Sequence, residues 1–471
     1  PLEMSDRDQM WSIYLSSQYE ERGAVDRIVE WAWEAEKAHI SDEAIELCAI
    51  ALTWFFTTSH RYLRDRATKA LVAMLHSRPH VLMRVIEKFI KVNDLYLLER
   101  IYAVAYGVAM ISNDAVGVAE LASKVYEWVF KDCTPPAHIL LRDYARGVIE
   151  TAAYRKILSA NVDLIKVRPP YQSPWFDYIP TKEELEDYGR TWENMDDAEW
   201  ARRKIYSSVM EPGDFARYVI GTNYGNFEWS SRRLTEQGRN EIRTVREQKY
   251  KEFIESLTQK HTEALQRYKT LYSGVKLCQR LEPAQQIERF KHEFLPEELD
   301  DILASEEKRF LRALGKKKQK IFHEFVLPYL KDPKGDVFKF DLSIAQRWIL
   351  KRVFDLGWTV DKFGHFDRNL SYGSYTREAN KSERVGKKYQ WIAYHKFLAH
   401  VADNFEFTGD YESDNYPQDY HGPWQIGSGT RDIDSSLLLR KLQEPEDNQK
   451  KSTSVWWQPV EYVFNDADKQ E

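Results

Sequence analysis

One phrase recurs through the first third of this chain, and it limits the fold more than any other feature. LRDRATKAL begins at Leu63, LERIYAVAY at Leu98 and LRDYARGVI at Leu141, 35 and 43 residues apart. Within each copy, apolar residues return every three or four positions, the period at which side chains share one face of an α-helix. The intervals between carry stripes of the same period: Ile45, Cys48, Ala49, Leu52, Phe55 and Phe56; Leu82, Val85, Ile86 and Phe89; Val118, Leu121, Ala122 and Val125. A helix that returns at this interval, with another between its copies, is the pattern of HEAT-type repeats. Each pair there buries its apolar face only by stacking on the next. The spacing predicts a HEAT/TPR-like α-solenoid of about seven helices over residues 5–160. Ser41 is placed to cap one helix start, and Pro79 to open another, where a missing N–H costs little. Arg64/Asp65, Glu99/Arg100 and Arg142/Asp143 stand where ion pairs would link neighbouring units.

The remainder reads as three further segments. Residues 161–238 include KVRPPYQSPWFDYIP, which prolines bar from regular helix, and read as a linker and packing segment. Residues 239–330 are strongly helical. No proline interrupts Arg239–Arg280, whose two-signed charge suits a long helical hairpin. Beyond it, six acids lie between Glu297 and Glu307 and seven bases between Lys308 and Lys320. One helix carrying acids near its start and bases toward its end would complement its macrodipole. Residues 331–471 are mixed and loop-rich, and SVWWQPVEYVF reads as a closing strand. The fold class is therefore mainly α: a solenoid, a long hairpin and a mixed, loop-rich C-terminal α+β region.

Composition removes several function classes. A net charge of −6 is not that of a generally basic nucleic-acid binder. Cys48, Cys133 and Cys278 form no CxxC, which suits a reducing compartment and offers no cysteine zinc site. No apolar run reaches the roughly 18 residues of a membrane span. Pro1-Leu2-Glu3 ahead of Met4 read as foreign to the natural chain, and the whole as a piece of something longer.

Chemistry-bearing motifs are few. Gly386-Lys387 precedes a helical stretch, as the end of a phosphate-binding loop would. Yet GxxxxGK[ST] needs a glycine where Lys381 stands and a Ser/Thr where Lys388 stands, so the turn reads as a helix start facing water. His395 and His400 are five apart, roughly 140° around a helix, and make poor joint ligands. Asp361, His365 and Asp367 lie close in sequence, as a metal or acid–base cluster would, although solvated turn residues are the commoner reading. These residues assign no catalytic, cofactor or metal position. Two alternatives stay open: a metal-dependent nuclease or hydrolase in the C-terminal part, and a nucleic-acid-binding scaffold using Lys316–Lys320.

A wider set of blocks carries a resemblance. LRDRATKAL, NDLYLLERIYAVAYG, HILLRDYARGVIE, GDFARYVIG, FDLSIAQRWILKRVFDLGW, SERVGKKYQWIAYHKFLAHVADNF and GPWQIGSGTRDIDSSLLLR together resemble the C-terminal sensor region of bacterial STAND NTPases of the AVAST antiphage group. That resemblance implies a helical-repeat sensor in the bacterial cytoplasm. It would bind a phage protein, such as the large terminase subunit or the portal. The rest of a parent ATPase would then oligomerise, with ATP and magnesium bound only there, and switch on an effector. As partner contacts the reading offers Tyr171, Trp175, Phe176, Trp391 and Trp424 as aromatic anchors, with Arg384, Lys387 and Lys388 as a charged rim.

Overall fold

The computed structural model describes residues 2–18, 23–34, 37–192, 195–213, 215–228, 236–279, 296–331, 340–372, 382–407, 420 and 422–423. The chain forms two compact units, one of residues 1–228 with 340–471 and one of residues 229–339.

In the first unit, the periodic stripes become helices: α1 (Ala24–Glu34), α2 (Asp42–Trp54), α3 (Arg61–Leu75), α4 (Pro79–Phe89), α5 (Leu95–Ile111), α6 (Ala115–Val125) and α7 (Ile139–Tyr154). They stack in two layers, α1–α3–α5–α7 and α2–α4–α6, the arrangement of an α-solenoid. The recurring phrase falls in α3, α5 and α7, so its copies are neighbours in one layer. Their leucines and alanines, among them Leu63, Ala67, Ile101, Ala105, Leu141 and Ala145, are buried. Small alanines allow close helix approach, and leucines fill the grooves between.

Helix starts follow local chemistry. Ser41 Oγ accepts from the Ala44 N–H at 3.3 Å, and Pro79 opens α4. The layer that holds the repeat is capped in a less common way. His60 Nδ1 accepts from Leu63 N–H (3.1 Å), Asp94 from Tyr96 and Leu97, and His138 Nδ1 from Leu141 N–H (3.3 Å). The foreseen ion pairs form between α3 and α5, where Arg64 meets Glu99 (3.5 Å) and Arg100 meets Asp65 (3.4 Å). At the third site Asp143 pairs with Arg146 in its own helix (2.7 Å), and Arg142 pairs with Asp403 of a later helix (2.9 Å).

The rest of the first unit packs against this stack. Helix α8 (Asp197–Met210) precedes a short strand β1 (Phe227–Glu228). Past the second unit, GDFARYVIG having already formed helical turns around Phe215–Gly221, the chain resumes. In the second unit α9 (Glu236–Glu255), α10 (Gln259–Gln279) and α11 (Pro296–Ala313) surround a separate core of Phe253, Leu265, Tyr268, Phe310, Leu314, Phe322 and Val326. The two long helices expected over residues 239–280 form, but α10 packs chiefly on α11, and α9 packs on the helical segments Phe322–Val326 and Leu327–Lys331. The charged block is not one helix, because α11 ends at Ala313 and Gly315 caps a new helical segment, Lys316–Ile321. The macrodipole account holds for Lys308, Arg309 and Arg312. It fails for Lys316–Lys320, which lie in the first turns of the next segment, the disfavoured end for cations.

Back in the first unit come α12 (Leu342–Asp355), α13 (His365–Tyr372) and α14 (Val385–Asn404), followed by β2 (Glu406–Phe407). Helix α14 packs on α12 and also on α5 and α7. Phe227 pairs with Phe407 and Glu228 with Glu406 in an antiparallel register, the one sheet among the described residues. The expected closing strand at SVWWQPVEYVF lies outside the described residues.

Candidate functional site

Helix α14 carries the Gly-Lys turn, and its N-terminus answers the phosphate question. The first backbone N–H groups of a helix are orphan donors that suit an anion. Here the anion belongs to the chain. Asp367 accepts from Val385 N–H (2.6 Å), Gly386 N–H (2.8 Å) and Trp358 Nε1–H (3.0 Å). Burial pushes the Asp367 carboxyl above its ordinary value, while the nearby Arg384 charge and these donors pull it back. Gly386 is needed for close approach, because a Cβ there would lie 2.6 Å from Ile205 Cδ1 of α8.

Lys388 corrects the reading of a turn that faces water. Its side chain is 0% exposed. Its ammonium donates to Asp8 (2.8 and 2.9 Å), to Asp94 (3.2 Å) and to the Thr57 carbonyl (2.9 Å). Asp8 also accepts from Ser12 Oγ and Tyr389 Oη. Burial drives the Asp8 carboxyl above its usual range, and Lys388 opposes that shift. Lys388 is thus a buried counter-ion and no rim residue, whereas Lys387 is half-buried and pairs with Glu383 (2.8 Å).

Two further polar anchors follow along the same helix. His395 stands beside Glu99 (Nδ1–Oε2 3.9 Å) and the His138 ring (5.0 Å between centroids). Asp403 pairs with Arg142 at 2.9 Å. Arg142 also donates to the carbonyls of Pro135 and Pro136 and to Ser173. The anchors are seven and eight residues apart, roughly 10–12 Å along a helix. Packed helices lie about 8–10 Å apart. Helix α14 therefore crosses the first turns of the repeat layer with one polar contact for each step. Glu383 N–H, which donates to Ser59 O, and the His60–Ser382 bridge extend the seam toward α3.

The proposed aromatic anchors turn inward. Trp175 and Phe176 are half-buried against Phe397, at 5.6 and 5.4 Å, and Trp175 also meets Phe405. Tyr171 stacks on Phe130 beneath the Arg142 guanidinium. Trp391 is half-buried, stacked on His395 and edge-on to Phe215. These contacts are packing, the reading favoured for this linker. Arg384 is half-buried beside Asp367, and Trp424 lies outside the described residues. Asp361, His365 and Asp367 do not converge on a ligand: the first two are exposed, and the third is fully committed at α14.

Sequence spacing missed the grouping that does form. Glu99, His138 and His395 each offer one ligand atom, all within 4.8 Å of one another and all buried. One signal was legible: His138 precedes its copy of the recurring phrase by three residues, as His60 precedes its own. His400, judged a poor partner for His395, instead faces the Pro174 carbonyl (Nδ1–O 3.0 Å).

Burial holds the His400 imidazole below its ordinary 6.5, helped by Lys396 and Arg142 and opposed by Pro174 O. The unfolded chain then takes up this proton at a higher pH than the folded one. The stability tied to His400 is present above the unfolded value and falls as pH drops through it. His400→Gln should flatten that loss. Urea midpoints at about pH 7 and about pH 5.5 for both proteins check it, and equal slopes would refute it.

Fold and seam together define a mainly α, helical-repeat protein whose repeat layer is crossed by one of its own helices. No family model, curated protein or solved structure matches the chain.

Proposed function

We propose that this chain is the target-recognition region of an antiphage STAND ATPase, binding a phage protein such as the large terminase subunit or the portal. Binding would let the full-length protein oligomerise in the bacterial cytoplasm and activate its effector. One observation carries the reading. Four of the blocks that bear the resemblance, distant in sequence, meet in one packed region: Arg64 pairs with Glu99, Glu99 stands beside His138 and His395, Lys388 pairs with Asp94, and Arg142 pairs with Asp403. Blocks that resemble a family only by chance have no reason to converge. Among the described residues no helix is long and apolar enough to cross a membrane.

The seam redirects the search for the partner. The first-turn face of the repeat layer is taken by α14, so a target is expected on the other layer. An open groove of about 550 Å³ lies there, lined by Met83, Ala115, Val116, Ala119 and Ile157 with Glu120, Lys124 and Glu127 around it. Val116 is 70% exposed. Apolar floor with charged rim is the anatomy of a protein interface. The test is co-expression with phage terminase and portal proteins followed by affinity capture. One of them should co-purify, and Val116→Glu should weaken capture at least about tenfold, the effect of one lost buried contact. The reading fails if neither binds this chain and the longer parent is indifferent to both.

A further inference from the structure

The group at the middle of the seam has an ordered geometry. Glu99 lies in the second turn of α5, His138 caps α7 and His395 sits midway along α14. Glu99 Oε2 is 3.7 Å from His138 Nε2 and 3.9 Å from His395 Nδ1. Glu99 Oε1 faces the other way, toward Arg64 Nη2 (3.5 Å) and Arg100 Nε (3.6 Å). One carboxylate oxygen thus serves two guanidiniums and the other faces two imidazoles. All three residues are at most 3% exposed.

We propose that Glu99, His138 and His395 bind a divalent transition metal ion of the zinc class, which ties α5, α7 and α14 together. Two imidazoles and a carboxylate are a donor set of intermediate softness that suits zinc, with a water as fourth ligand. Metal–donor bonds of about 2.0–2.1 Å in a tetrahedron hold donors about 3.4 Å apart. The two edges from Glu99, 3.7 and 3.9 Å, need closure by a few tenths of an ångström, and the edge between the two imidazoles is within 4.8 Å. Arg64 and Arg100 fix the orientation of the carboxylate from its far oxygen, a supporting contact of the kind that tunes metal ligands.

Occupation carries a local cost. His138 Nδ1 accepts the Leu141 N–H, so a neutral ring keeps its proton on Nε2, toward Glu99. A metal on Nε2 moves that proton to Nδ1 and gives up the cap of α7. A lost cap costs about a tenth of what a structural zinc contributes, so the metal prevails.

The test uses the full chain without an affinity tag, stripped with a chelator and titrated with zinc and with cobalt. Wild type should take up one ion per chain and melt at a higher temperature when loaded. Cobalt should give the visible bands of a tetrahedral nitrogen–oxygen site. Glu99→Gln and His395→Gln should each lose at least about 100-fold in affinity, the upper end of what disturbing a metal's supporting shell already costs. His400→Gln and Cys133→Ser should bind as wild type does. If folded wild type takes up no stoichiometric ion, or the ligand variants bind as well as wild type, the proposal is overturned. Should those variants fail to fold, the cobalt spectrum and metal-dependent melting of wild type decide alone.

Discussion

Replacing Lys388 by methionine is expected to destabilise the protein by about 3–5 kcal/mol, the cost of breaking a buried ion pair from one side. Methionine fills much of the same volume, so the loss is electrostatic. Asp8 and Asp94 are both at 0% side-chain exposure and both accept from this ammonium, Asp94 having Arg7 as a second cation at 3.4 Å. Without it, two carboxylates face each other in a medium that solvates them poorly. Lys387→Met, one residue away, should stay within about 0.5 kcal/mol because its pair with Glu383 is partly exposed. Adding Asp8→Asn to Lys388→Met should recover part of the loss, since the stranded charge is removed with its partner.

The pH dependence has a definite sign. The Asp8 carboxyl is already raised by burial, and losing Lys388 raises it further. A carboxyl raised on folding favours the folded state at low pH, where both states hold the proton, and that advantage is lost as pH rises through the window. The gap between Lys388→Met and wild type should therefore narrow as pH falls toward the ordinary aspartate value. Urea unfolding at several pH values measures it, with unchanged m-values as the sign that only stability moved. A variant within about 1 kcal/mol of wild type at neutral pH would mean that Lys388 is not the buried counter-ion described.

The second large effect concerns Phe397, on the other face of α14. Phe397→Ala should cost about 3–5 kcal/mol, and Phe397→Leu less than half of that. The ring is fully buried and meets Trp175, Phe176, Tyr224, Trp348 and Phe340 within 6.2 Å. Removing it opens a cavity bordered by large rigid rings, which cannot collapse into the space. Trp175 and Phe176 would lose their floor, so any fall in partner capture by this variant should track the fall in stability. Capture lost without a stability change would restore the linker aromatics as partner anchors.

The two faces of α14 show why one helix was so hard to read. Its sequence mixes apolar residues with lysines, histidines and an aspartate on most sides, yet it is buried over most of its length. Periodicity placed Ala393, Phe397 and Val401 on one stripe, and all three are buried. It gave no reason to bury Lys388, because a lysine is almost never fully buried unless paired. Its partners, Asp8 and Asp94, lie 380 and 294 residues away. The same distance hid the metal candidate: Glu99, His138 and His395 share no local spacing. Asp367 looked like a member of a loop cluster, yet it serves as the anion that caps another helix.

What the sequence determined by itself is whatever depends on neighbours within a few turns. It set the stacked helix pairs of residues 24–154, the cap at Ser41, the proline start of α4 and the two long helices α9 and α10, because helical period and capping are local. The repeat interval added the order of the layer, since equal units stack on equal units. Tertiary structure alone decided which face of that layer stays open. It laid α14 over the first turns of the repeats, packed the half-buried Trp175 and Phe176 against Phe397, and gave Lys388, His395 and Asp403 their partners. Those outcomes rest on charges and rings brought together across hundreds of residues, where burial makes pairing obligatory and sequence spacing says nothing about who the partner is.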